Sequence, residues 1–147
     1  MTMPGIDSLA AAKVIVEIGV DMGAFGSAAS LAMLAGLCPG NHESAGKRSS
    51  GKTPKGNRFL RTILCQAAWA AIRTKSQFKQ KYQTLRARRG TKRAIVAIAH
   101  KMLRIIFVLL QRKLPYQDDS VDYEKMIVQR NAPRWIKQLE KYNLLTT

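Results

Sequence analysis

The sequence is short of acid. Nine Asp and Glu stand against 25 Lys and Arg, a formal net charge of +16 over 147 residues. The nine acids sit only at the two ends: Asp7, Glu17, Asp21 and Glu43, then Asp118, Asp119, Asp122, Glu124 and Glu140. That balance argues against a small-metabolite enzyme with a neutral surface. It points to a polyanionic partner, nucleic acid first and an anionic membrane surface second. Cysteine is scarce as well. Cys38 and Cys65 are too few for a disulfide framework or a structural zinc site, and both are expected reduced in a cytoplasmic protein. The first twelve residues lack a basic segment ahead of an apolar stretch, so a signal peptide is not expected. Long apolar runs are missing too. Ile105 to Leu110 is flanked by Lys101, Arg104, Arg112 and Lys113, whereas a spanning helix needs about 20 apolar residues. This run reads as part of a buried core helix in a soluble protein with no membrane partner.

What is present is 46% hydrophobic residues, enough for the core of one domain. Nineteen Lys and Arg lie between Glu43 and Asp118 without one internal Asp or Glu. A solvated helix face ordinarily mixes signs, because opposite charges at i,i+4 attract and like charges repel. An unmixed stretch gives up that pairing, as a phosphate-binding surface would. Simple solubility is the competing account.

Along the chain, the Pro4-Gly5-Ile6 turn and a cap at Asp7 or Ser8 open a helix ending near Gly19. Its surface is apolar nearly all round, so it is expected to be buried. Asp21 to Gly26 reads as a loop, and Ser27 caps a second helix, Ala28 to Gly36. Residues 41–57 contain no apolar residue larger than Ala and read as a long basic loop, of the kind that is functional or disordered. A helix from Arg58 to Arg73 places Phe59, Ile63, Ala67 and Ala70 on a stripe with Leu60, Leu64 and Ala71. Phe78, Tyr82 and Leu85 mark a helix over Ser76 to Arg88. Ile95, Ile98, Met102, Ile105 and Leu109 mark a long one from Thr91 to about Lys113. Val121 to Arg130 and Arg134 to Tyr142 read as two short helices. Strand-like alternation is absent. The expected fold is all-α: a helix-hairpin-helix-like scaffold over 1–40, a basic catalytic-type loop over 41–57, a basic helical bundle over 58–114 and a mixed-charge helical tail over 115–147.

Few residues carry chemistry. The turn at Gly5 resembles the hairpin of a helix-hairpin-helix motif, whose backbone N–H groups meet a DNA phosphate. Only three residues precede Pro4, however, and Asp7 stands where a second glycine is usual, so the hairpin is either a phosphate contact or a helix cap. Ser44 follows Gly40-Asn41-His42-Glu43 and precedes Gly46-Lys47-Arg48. A serine hydroxyl can attack a phosphodiester where cations take up the developing charge, and Lys47, Arg48, Lys55 and Arg58 are candidates for that task. His42 is a conceivable base. A turn residue is the competing reading of Ser44. Gly51-Lys52-Thr53 lacks the earlier glycine of a Walker motif, and no His, Cys and carboxylate cluster suggests a metal site. His100 falls mid-helix as a packed or solvated side chain.

Taken in order, Pro4-Gly5-Ile6, Glu17-Ile18-Gly19, Ala35-Gly36-Leu37-Cys38-Pro39-Gly40, Ser44, Gly46-Lys47-Arg48, Lys55-Gly56-Asn57-Arg58 and Leu60-Arg61 resemble the C-terminal domain of insertion-sequence transposases of the IS one-ten family. The resemblance covers about residues 3 to 110. It implies a helical domain bearing a catalytic serine, with Ser44 in that place, although the usual Ser-Gly-Gly is Ser44-Ala45-Gly46 here. Lys47, Arg48, Lys52, Lys55, Arg58, Arg61 and Gly5 are then the candidate nucleic-acid contacts. Family members carry an N-terminal RuvC-like domain with a DEDD carboxylate set, and this chain is expected to correspond to the part that follows it. No cofactor is therefore expected in this chain, and a divalent metal, Mg2+, is expected in the missing partner domain. The implied partners are DNA, a bridge or guide RNA in some members, the DEDD domain and further copies in a homo-oligomeric assembly. The implied setting is a nucleoid-associated protein of the bacterial cytoplasm. The isolated chain is expected to bind DNA without recombining it. A non-enzymatic helical DNA- or RNA-binding module is the alternative.

Overall fold

Capping sets most of the element boundaries in the computed structural model, which describes residues 3–38, 42–44, 47–50, 55–118 and 123–144. Asp7 accepts a hydrogen bond from the Ala10 amide at 2.7 Å and opens α1, Ser8–Ile18. Asp21 opens a single 3-10 turn, Met22–Phe25, within the segment expected to be a loop. Ser27 accepts from the Ser30 amide at 3.1 Å and opens α2, Ala28–Leu34. This helix stops at a Schellman motif: Leu37 N–H reaches the Ala32 carbonyl and Gly36 N–H the Met33 carbonyl, with Gly36 at φ 64°. Two short strands follow, β1 His42–Ser44 and β2 Lys47–Ser50. Then come α3 Arg58–Ala71, α4 Gln77–Arg89, α5 Thr91–Arg112 and α6 Tyr123–Lys141.

The helix α5 organises the bundle. It packs against α2, α3 and α4, and α1 lies on α3. Ala94, Ile95, Ile98, Ala99, Met102, Leu103, Ile106 and Phe107 of α5 are buried with Leu31 of α2, Leu60 and Leu64 of α3, and Phe78 and Tyr82 of α4. By length and composition α5 is the one helix among the described residues able to cross a membrane. Its packing on three sides is that of a core helix, and the chain is all-α apart from one small ribbon.

Four expectations need correction. The helix α1 is not buried all round: Val14 and Ile18 are, but Val16 is 83% exposed. A helix lying on a single neighbour covers only one stripe of its surface. Phe59 and Ala70, expected on the inner stripe of α3, are exposed, Phe59 at 73%, while Leu60, Leu64, Ala67 and Ala71 of that stripe are buried and Ala68 joins them. The long loop contains the antiparallel pair β1–β2, in which Glu43 faces Arg48 and Ser44 faces Lys47 in register. His, Glu, Ser, Lys and Arg offer no apolar alternation, so pairing of this kind leaves no period-two signal to read. Finally, the tail is one helix that continues through Pro133 and packs against α4. Proline removes one N–H there and frees the Gln129 carbonyl, but Gln129 and Pro133 are both exposed, so that carbonyl faces solvent and not the core.

Candidate nucleic-acid interface

The basic loop begins and ends at one place. Asn57 N–H donates to the Leu34 carbonyl at 2.7 Å, tying the start of α3 to the end of α2. Gly56 lies so close to α2 that a Cβ there would overlap the Gly36 backbone and the Leu34 carbonyl. The Asn57 side chain makes two further bonds. Its Oδ1 accepts from the Leu60 amide at 3.0 Å as the α3 cap, and its Nδ2 donates to Glu17 Oε2 of α1 at 2.6 Å. Arg61 Nη1 donates to the Gly36 carbonyl at 3.2 Å, placing a cation at the C-terminal end of α2 where the helix dipole favours it. Two segments of the motif, Ala35-Gly36-Leu37 and Gly56-Asn57-Arg58-Phe59-Leu60-Arg61, thus interlock as a joint.

The joint carries the ribbon. Ser44 ends β1 and Lys47 begins β2, at facing register positions; Arg48 faces Glu43. Lys55 and Arg58 are exposed beside the joint. Lys52 lies outside the described residues. Arg61 is half-buried and holds the joint, a role that spacing alone does not show. Gly5 is the third residue of a turn closed by Ile6 N–H on the Met3 carbonyl at 3.1 Å, with φ 84°. Pro at the second position and a left-handed glycine at the third make this a type II turn. A Cβ on Gly5 would overlap the Ala67 carbonyl of α3. Close packing therefore accounts for glycine at this position.

Sequence reasoning missed two things. One is Asn57, although Asn directly before an apolar-periodic run is a helix-start signal. The other is a second concentration of cations. Arg86, Arg88, Arg89, Lys92 and Arg93 are all exposed around the α4–α5 turn at Gly90. From there a groove of about 700 Å³ runs between α4 and α5. Matching Lys81, Leu85 and Arg89 against Lys101, Arg104 and Val108 as facing stripes would have revealed it. His100 lines this groove, and burial, followed by the Arg104 charge, holds its pKa below the ordinary histidine value. In α3, burial pushes the Cys65 thiol up, with Arg61 opposing weakly. Among the described residues no three His, Cys, Asp or Glu side chains gather into a metal-binding group.

Comparison with known proteins places this arrangement in context. The profile of the transposase IS116/IS110/IS902 family matches residues 1–83. The chain is 36% identical over 121 residues to the transposase for insertion sequence element IS1111A of Coxiella burnetii, covering 79% of this chain and 33% of that protein. It is 31% identical over 122 residues to a probable family 20 transposase of Pseudomonas aeruginosa, covering 80% and 36%. It is 32% identical over 121 residues to an uncharacterized 42 kDa protein of insertion element IS900 from Mycobacterium paratuberculosis, covering 79% and 30%. The matched part is thus about a third of the length of these relatives. No solved structure matches.

Proposed function

The chain belongs to the IS116/IS110/IS902 family of transposases, and on that premise we propose that it is the DNA-binding, serine-bearing part of a strand-cleaving and strand-exchanging recombinase. Ser44 Oγ attacks the phosphorus of a DNA phosphodiester and gives its proton to a base. The bond from phosphorus to one flanking sugar oxygen breaks, that oxygen leaves with a proton, and a phosphoserine link remains for a second DNA hydroxyl to displace. Lys47 and Arg48 offset the charge that builds on the phosphorane. Lys52, Lys55 and Arg58 hold flanking phosphates, while Arg61 positions the loop from its base.

The observation that carries this reading is the joint. Backbone and side-chain bonds from Asn57 and Arg61 to α1 and α2 close the loop at its base, and within that loop Ser44 and Lys47 hold facing register positions. The described residues form no carboxylate cluster. In this reading the DEDD carboxylates of a RuvC-like partner domain would hold a Mg2+ ion, which would supply Lewis-acid activation of reacting oxygens. A guide RNA and further copies of the chain complete the assembly.

The test is reconstitution with a RuvC-like partner domain, guide RNA, Mg2+ and end-labelled DNA, followed by denaturing electrophoresis for a covalent protein–DNA adduct. Ser44→Ala abolishes the adduct if the reading is right; an undiminished adduct removes Ser44 as nucleophile. Lys47→Gln with Arg48→Gln slows adduct formation by roughly 10²-fold. Salt-sensitive DNA binding with no adduct under any condition favours a non-enzymatic binding module, for which the exposed cations of α4 and α5 suffice.

A further inference from the structure

The cations of α4 and α5 form more than a diffuse positive surface. The groove between these helices has Lys81 and Arg89 on one side and Lys101 and Arg104 on the other. Leu85, Ala97, Ile105 and Val108 also line it. No Asp or Glu lines it, and none occurs in the sequence between Glu43 and Asp118. A cleft lined by one sign of charge, with low-dielectric walls, focuses its field instead of losing it to solvent. From Ala97 to Val108 the groove follows α5 for about 17 Å, long enough to lie along a short run of phosphates of one strand.

The groove is also separate from the joint. Ala28, at the first residue of α2, lines it, whereas the loop is tied to Leu34 and Gly36 at the other end of the same helix. Seven residues of α2 put about 10 Å between them.

We propose that the α4–α5 groove is a second nucleic-acid site, separate from the Ser44 loop, that grips a sugar–phosphate backbone through Arg89 and Arg104 with its apolar lining against the sugars. Contacts of this kind position a strand and carry no sequence information.

The experiment is fluorescence anisotropy with the purified chain across a salt series. One arm uses a labelled duplex DNA and the other a single-stranded RNA of equal length. The variant Arg89→Gln with Arg104→Gln removes two groove cations. The control, Arg130→Gln with Arg134→Gln, removes two exposed cations of α6. The groove pair lowers the slope of log K against log salt by about 1.8 on duplex DNA, or about 1.4 on single-stranded RNA, whereas the control changes it far less. Ala97→Trp fills the groove without changing charge and weakens the same arm. A loss confined to the duplex arm identifies DNA as the occupant, and one confined to the RNA arm identifies RNA. Circular dichroism melting verifies that each variant is folded. A groove pair that behaves like the control on both arms overturns the proposal and leaves the groove to an acidic protein segment. The measurement reads binding alone, so its failure is distinct from failure of the Ser44 chemistry.

Discussion

Asn57 donates a 2.6 Å hydrogen bond to Glu17, 40 positions earlier in the chain, while its side-chain oxygen caps the helix that follows it. Its side chain thereby links α1 to α3 at the base of the loop, while its backbone N–H holds α2. Asn57→Ala removes the cap and leaves Glu17 without this donor. It should cost about 1–2 kcal/mol, seen as a melting temperature lower by about 3–8 °C. Asn57→Asp separates the two roles: it keeps the cap oxygen but sets a carboxylate against Glu17. It should fall below wild type at neutral pH and recover on mild acidification as the pair takes up a proton.

Adjacent residues of α3 make opposite predictions. Leu60 is fully buried and Phe59 is 73% exposed. Leu60→Ala should destabilise by about 2–5 kcal/mol, and Phe59→Ala by no more than about 0.5 kcal/mol. Urea denaturation of the two variants checks the inside and outside of α3 directly.

Gly56→Ala should be costly for a reason unrelated to helix propensity. The added methyl meets backbone of Leu34 and Gly36, which cannot swing aside as a long side chain can. The expected loss is about 1–3 kcal/mol, read as a lower urea midpoint with an unchanged slope. In the reconstituted reaction, adduct formation by Ser44 should fall with it.

His100 gives the fold a pH dependence of known sign. Burial, aided by Arg104, lowers its folded pKa below 6.5, the ordinary value. Lys81, Arg89, Lys101 and Arg104 from both flanking helices line the same groove. Between the folded and ordinary values the unfolded chain binds more protons, so stability rises with pH through that window and levels off above 6.5. His100→Gln should flatten this part of the stability curve, measured as urea midpoints from pH 5 to 8.

The helices were legible because their signals are local. Asp7 and Ser27 cap, Gly90 punctuates, and Phe78, Tyr82, Ile98 and Met102 recur at helical spacing. What could not be read depended on neighbours. The side of α1 that faces solvent is set by α3, and Pro133 stays inside α6 because its carbonyl partner is exposed. The site divides in the same way. Ser44, Lys47 and Arg48 stand as candidates by order and residue type, and the register sets Ser44 opposite Lys47. Arg61 reads as a nucleic-acid contact because it shares the basic motif with Lys55 and Arg58. Its bond to Gly36 spans 25 positions, and no spacing rule anticipates that.

The tether between Leu34 and Asn57 also bears on engineering. Since the strand ends are already held together outside the ribbon, the intervening polypeptide can be lengthened at slight thermodynamic expense, about 0.6 kcal/mol for each doubling. The bundle should therefore accept foreign inserts between Ser44 and Lys47, clear of the joint residues Gly36, Leu37 and Gly56, keeping its melting behaviour while the grafted segment alone decides what chemistry is displayed.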